Sequence, residues 1–146
     1  MLYSGWRISE ALDIKLEDIE REKGFIKGGT KTAAGKDRIV PIHSKIVPLV
    51  NNLADNSTSG YLFELNEKKI SCEVARIKWR KLMSELEMNH TPHECRHTFR
   101  SRLDSAGANK AAIDLMMGHK SADVGERIYT HKSLEELKYN IELILN

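Results

Sequence analysis

The run His93-Glu94-Cys95-Arg96-His97-Thr98-Phe99, followed downstream by Gly118-His119 and by Tyr129-Thr130-His131, decides how this 146-residue chain is read. A helix opening near Thr91-Pro92 sets His93 and Arg96 three positions apart, so their side chains leave one face and can converge on a single anion. Arg96 offers a planar fork of donors matched to a phosphate, and His93 a ring that exchanges a proton near neutral pH. Nearly opposite, Cys95, Phe99, Leu103 and Ala106 recur at helical spacing as an apolar stripe for a core. The grouping points to chemistry on a phosphodiester.

Working outward, Ser4-Gly5-Trp6-Arg7-Ile8-Ser9-Glu10 puts a second guanidinium directly after a glycine turn, at the mouth of a short helix that Ser9 is placed to cap. Lys31 lies in Gly28-Gly29-Thr30-Lys31-Thr32-Ala33-Ala34-Gly35-Lys36, between strand-like runs at 24–29 and 38–42. A hairpin there would hold it out on a loop, with Lys36 as a nearby rival. Taken singly, Arg7 reads as a solvated charge, His119 as a helix C-terminal residue near the dipole, and Tyr129 as a core phenol whose hydroxyl reaches water. Taken in chain order, Arg7, Lys31, His93, Arg96, His119 and Tyr129 form a set.

That ordered set resembles the tyrosine recombinases, the phage and transposon integrase family. Its members carry an Arg in a Gly-x-Arg-x-x-Glu context, a Lys on a β-hairpin, His-x-x-Arg-His at a helix start, Gly-His after another helix, and a Tyr roughly ten positions later. Each feature has a match here, across nearly the whole chain. The resemblance implies site-specific DNA recombination by cleavage and rejoining of double-stranded DNA, with no cofactor, by protomers that assemble as a tetramer on paired sites. It also implies that 1–146 is a catalytic domain lacking the family's first helices and its separate N-terminal core-binding domain, because Arg7 arrives almost at once. Such a chain is expected to bind DNA weakly and recombine poorly by itself. The alternative is a noncatalytic DNA-binding or protein-interaction module derived from a recombinase. The last helix would pack on a neighbouring protomer, as is common in the family, or on its own domain.

The chemistry asks for this combination of groups. A phosphodiester attacked by an oxygen passes through a transition state with extra charge on its nonbridging oxygens, which two guanidinium forks and an imidazole donor neutralise without a metal. Arg7, Arg96 and either His93 or His119 fit that part. Tyr129 would be the nucleophile, joined to the DNA phosphate as a 5′ hydroxyl leaves. A phenol with a pKa of about 10 needs a proton acceptor, for which His93 is the choice, and Lys31 is the choice of acid for the leaving oxygen. No Gly-rich P-loop is present, in keeping with an exchange that needs no nucleotide.

His90, His93, Cys95 and His97 raise the question of zinc, whose structural sites use four converging Cys or His ligands. Cys95 leaves the helix away from His93 and His97, so the reading is a small core residue and no metal. The chain carries 23 Lys and Arg against 21 Asp and Glu, a formal charge of +2, so DNA affinity has to come from local clusters. Arg76, Lys78, Arg80 and Lys81 form one, and Arg96, Arg100 and Arg102 another; Arg76, Lys78, Arg80 and Arg100 are the DNA-contact candidates. Two cysteines without a pairing spacing point to a reducing, cytoplasmic setting. No apolar run approaches membrane length and the first residues lack a signal-peptide core.

With 40% hydrophobic and 30% charged residues the chain reads as one α+β domain, mainly helical with a small three-stranded antiparallel sheet near the N-terminus, within about 16–42. Pro48 weakens a helix over 43–53. Residues 55–60 read as a loop, and Ser71 caps a helix that reaches about Met88. Further helices start at Pro92, Lys110, Ala122 and Leu134. The last carries Leu134, Leu137, Ile141 and Ile144 on one side, with Ser133 and Glu136 as a capping box.

Overall fold

Short alternating apolar runs separated by turns make a sheet near the start of the chain, and amphipathic stretches make helices after it. The structure, a computed structural model, describes residues 1–29, 35–119 and 131–144. The first helix, α1 (Ile8–Leu12), leads through a 3-10 turn (Leu16–Asp18) into β1 (Ile19–Glu20), β2 (Phe25–Gly28) and β3 (Arg38–Pro41). These pair antiparallel in the order β1-β2-β3. Ile26 stands opposite Ile19 on one side and Val40 on the other, and Ile26 and Val40 are buried, so this row of β-branched side chains fixes the register. The small antiparallel sheet within a mainly helical chain is the α+β class read from the sequence.

Pro48 starts a helix instead of interrupting one. It lies in the first turn of α2 (Val47–Asn56), where no intrahelical N–H is lost. β4 (Glu64–Leu65) and β5 (Lys68–Lys69) then form a hairpin that the sequence reading lacks. Its turn residues Asn66 and Glu67 both have positive φ, 51° and 61°. Such turns usually carry Asn-Gly, and a glutamate in that position hides the signal. α3 (Cys72–Glu85) begins as read, with Ser71 Oγ accepting the Val74 N–H.

α4 (Pro92–Ser105), α5 (Lys110–Met117) and α6 (His131–Glu142) build the core on which the sheet rests. Phe99, Leu103, Ile113, Met116, Leu137 and Ile141 are each at most 1% exposed. Ala106 departs from the expected stripe: it is the exposed C-cap of α4, so the apolar seam ends at Leu103. Ser133 departs too, because α6 already runs from His131 and Ser133 sits inside its first turn, where it cannot be the N-cap. A helix from Ala122 falls outside the described residues.

α6 packs on its own domain. Leu134, Leu137, Ile141 and Ile144 are all buried, and polar groups fasten its end. Asn140 Oδ1 accepts the Asn109 N–H at 2.6 Å, and the Glu142 carboxylate accepts from Ser44 N–H and Oγ–H at 2.6 and 2.7 Å. Buried His43 accepts the Lys45 N–H on Nδ1, so its Nε2 carries the hydrogen and donates to the Ile144 carbonyl at 3.1 Å. α3 behaves differently. None of its residues is buried, and its apolar side chains Trp79, Leu82 and Met83 face Leu12, Val50 and Leu53 across an open cavity of about 870 Å³.

Candidate active site

The loop ahead of α1 is pressed against α4. Gly5 has φ +61°, and a Cβ there would lie 2.5 Å from Cδ1 of Phe99, so only glycine permits the approach. This brings the Gly5 carbonyl to Arg96, which donates to it and to the Met117 carbonyl, both at 2.5 Å, with 3% of its surface exposed. Arg7, two residues beyond Gly5, is the N-cap of α1; Ser9, the expected cap, lies within the helix. The cause is Glu10, whose carboxylate reaches back to accept the Arg7 N–H at 3.0 Å and the Arg7 guanidinium at 2.8 Å.

Glu10 and Arg38 are site residues that the sequence reading missed. Arg38, 1% exposed, opens β3 and directs its fork at the same carboxylate, with contacts of 2.7 and 3.2 Å to the two Glu10 oxygens. It also donates from Nε to the Met116 carbonyl at 2.9 Å and from the fork to the Gly35 carbonyl at 3.2 Å. Its Cζ lies over the Trp6 ring, 4.1 Å from the centroid. Burial alone would raise the Glu10 carboxyl, but hydrogen bonds from Arg38 and from the Arg7 backbone, with the charge of Arg38, hold it down to about 2. The Gly-x-Arg-x-x-Glu spacing carried a signal for Glu10. For Arg38 the sequence shows only a charge at a strand edge.

α5 ends in Gly118 at φ +64°, a left-handed C-cap. A Cβ there would stand 2.8 Å from the Gly35 Cα, so a second glycine allows a second close approach. The chain turns back and delivers His119 to α4, with Nε2 3.3 Å from the Arg96 guanidinium and Nδ1 3.2 Å from that of Arg100. Asp114 Oδ1 lies 3.6 Å from Nδ1 and 4.0 Å from Arg100. Burial pushes the His119 ring below its ordinary pKa, Arg96 and Arg100 push it further, and Asp114 opposes them, so the ring is uncharged at neutral pH.

The structure therefore brings together three of the six sequence candidates, Arg7, Arg96 and His119. His93 stays at the exposed start of α4, its ring edge-on to His97 with centroids 4.6 Å apart, while Arg96 one turn on faces inward. Among the described residues it is the His119 ring that meets the Arg96 guanidinium, with His93 one turn ahead of Arg96 on α4. Lys31 and Tyr129 lie outside the described residues. Arg76, Lys78 and Arg80 are all exposed on α3, and Lys78 also borders the apolar cavity. Arg100 is half-buried beside His119. Among the described residues, no three His, Cys, Asp or Glu side chains are grouped to hold a metal ion, and no helix is long and apolar enough to cross a membrane.

Four guanidiniums, Arg7, Arg38, Arg96 and Arg100, share this region with three carboxylates, Glu10, Asp104 and Asp114, the second lying 3.6 Å from Arg100. With His119 uncharged, one positive charge is left over among these described residues. Burial pushes the Arg96 guanidinium down to about 10, aided by repulsion from Arg7, Arg38 and Arg100 and opposed by Glu10. It stays charged at neutral pH. Crowded cations attract an anion, and their planar forks suit the oxygens of a phosphate.

Residues 1–136 match the phage integrase family. The chain is 33% identical to tyrosine recombinase XerA of Pyrococcus furiosus over 97% of its own length and 51% of the relative's. It is 28% identical to tyrosine recombinase XerD of Staphylococcus saprophyticus over 94% of itself and 50% of that protein. It thus spans about half the length of these relatives. Among solved structures, the Tn1549 transposon integrase in complex with circular intermediate DNA shares the fold, with a TM-score of 0.71 at 22% identity over 92% of this chain and 50% of that one.

Proposed function

This chain belongs to the phage integrase family, and from that premise we propose that it cleaves and rejoins double-stranded DNA at specific sites through a 3′-phosphotyrosyl intermediate. The observation that carries the reading is the gathering of Arg7, Arg96 and Arg100 from two chain segments, with the uncharged His119 ring brought against the last two from a third. Arg7 and Arg96 neutralise the nonbridging oxygens of the scissile phosphate, and His119, uncharged, offers a ring N–H to one of them. Tyr129 attacks through Oη. A bond from Oη to phosphorus forms while the bond from phosphorus to the 5′ oxygen breaks. The phenol proton passes to His93, and Lys31 supplies a proton to the departing 5′ oxygen. A 5′ hydroxyl from another strand then reverses these steps, so each phosphodiester broken is remade and no nucleotide is consumed.

In this reading the partners are double-stranded DNA and further protomers, four on a pair of sites. A duplex nicked just beyond the scissile phosphate tests it, because the short cleaved piece diffuses away and traps the intermediate. The chain is expected to form an adduct that survives denaturing electrophoresis, and Tyr129→Phe to abolish it without altering the fold. Binding without any adduct would favour the noncatalytic module instead, and an adduct retained by Tyr129→Phe would remove the proposed nucleophile.

A further inference from the structure

We propose that Arg38 is a positioning residue for strand cleavage, a single buried guanidinium that sets the placement of Arg7 through Glu10 and of His119 through the C-terminus of α5. The inference rests on the reading of Arg7 and His119 as members of the cleavage site. Among the described residues Arg38 touches none of the groups assigned to cleavage, and, 1% exposed, it turns its donors to Glu10, Met116 and Gly35. Its hydrogen bonds define its reach. Two run to the Glu10 carboxylate, which in turn grips the backbone and the guanidinium of Arg7. One runs to the Met116 carbonyl, beside the Met117 carbonyl that receives Arg96 and two residues ahead of Gly118. Another runs to Gly35, the residue on which Gly118 rests. The Arg38 side chain itself lines that contact, since a Cβ on Gly118 would meet its Cδ at 3.2 Å.

These bonds use four of the five donors of a planar fork, while its Cζ sits 4.1 Å from the centre of the Trp6 ring. A lysine ammonium has neither the plane nor the divergent donors. A buried ion pair adds little net stability over a well-packed apolar group, so what the fork supplies is geometry: it ties α1, β3 and the end of α5 into one frame around the anion site. Misplacing catalytic groups by about 1 Å costs on the order of 100-fold in rate.

The test uses the full chain with Arg38→Lys, Arg38→Met, Glu10→Gln and the double Glu10→Gln/Arg38→Met. Adduct formation on saturating nicked duplex is measured beside DNA affinity by fluorescence anisotropy. Each single variant is expected to slow cleavage on the order of 100-fold while affinity moves only a few-fold. The double variant is expected to be scarcely slower than the worse single, because both act through one linkage. Wild-type cleavage rates in Arg38→Met, or losses that multiply in the double variant, would overturn the proposal. A readout independent of activity is the NMR signals of the Arg7 Nε–H and the His119 ring. They are expected to move in Arg38→Lys and Arg38→Met while the Leu137 and Ile141 methyls keep theirs. If the wild type forms no adduct, the functional reading fails, yet unmoved Arg7 and His119 signals would still refute the positioning role and moved ones would support it. Should Arg38→Met not fold, Arg38→Lys, which keeps the charge, decides both readouts.

Discussion

Glu10→Gln should remove an acid-sensitive share of the stability of this fold. The carboxyl has an ordinary value of 4.5 and is held to about 2 between Arg38 and Arg7. Because the folded-state value is depressed, its contribution is complete above 4.5 and disappears as the pH falls toward 2. At about 1.4 kcal/mol for each tenfold change in proton affinity, the full contribution is about 3 kcal/mol, of which about 2 kcal/mol is lost between pH 7 and pH 3. At pH 7 the variant also leaves the buried Arg38 without its counter-charge, a loss of about 3 to 5 kcal/mol in a domain whose total is of order 5 to 15. Urea unfolding followed by circular dichroism, run on both proteins at pH 7 and pH 3, reads the difference directly. The gap between them should narrow by about 2 kcal/mol at the lower pH. Glu94, also held to about 2 by hydrogen bonds to Thr91, titrates alike in both proteins and cancels. Parallel curves at the two pH values would refute the reasoning, for then Glu10 would be no better solvated by arginines than by water.

Gly5→Ala should destabilise by about 2 to 4 kcal/mol, combining a left-handed backbone angle with a Cβ driven into the Phe99 ring, and a lowered thermal midpoint would register it. Phe99→Ala opens the centre of the core and should cost about 3 to 5 kcal/mol in urea unfolding; a loss below 1 would place the core elsewhere. Under the proposed function, replacing exposed Arg76 and Arg80 together with Gln should flatten the dependence of log affinity for duplex DNA on log salt by about 2 if both meet phosphates. An unchanged slope would remove α3 from the DNA contact.

What could be read from the sequence was whatever is decided locally. The Ser71 cap, the alternating runs around Ile26 and Val40, and the stripe of Leu134, Leu137, Ile141 and Ile144 each follow from a few neighbouring residues, and each stands as read. Arg96 and His119 were found as motif members, but their meeting depends on Gly118, a turn 22 residues further along than Arg96. The start of α1 misled because Ser9 has the right chemistry for a cap, while a carboxylate at Glu10 reaches back and wins the backbone N–H of Arg7. Arg38 was invisible in principle. Its role arises only when Glu10, Trp6 and the end of α5 surround it, and no local pattern encodes a hub made of distant parts.

The ring of His119 has guanidinium donors on both of its nitrogens. An imidazole without charge owns a single lone pair in its plane, so it can satisfy one arginine and must point its own hydrogen toward the other. The two tautomers differ only in which arginine is refused. Whichever is adopted, one guanidinium hydrogen is left without an acceptor from this ring, and an oxyanion seated there accepts both that hydrogen and the ring N–H facing it.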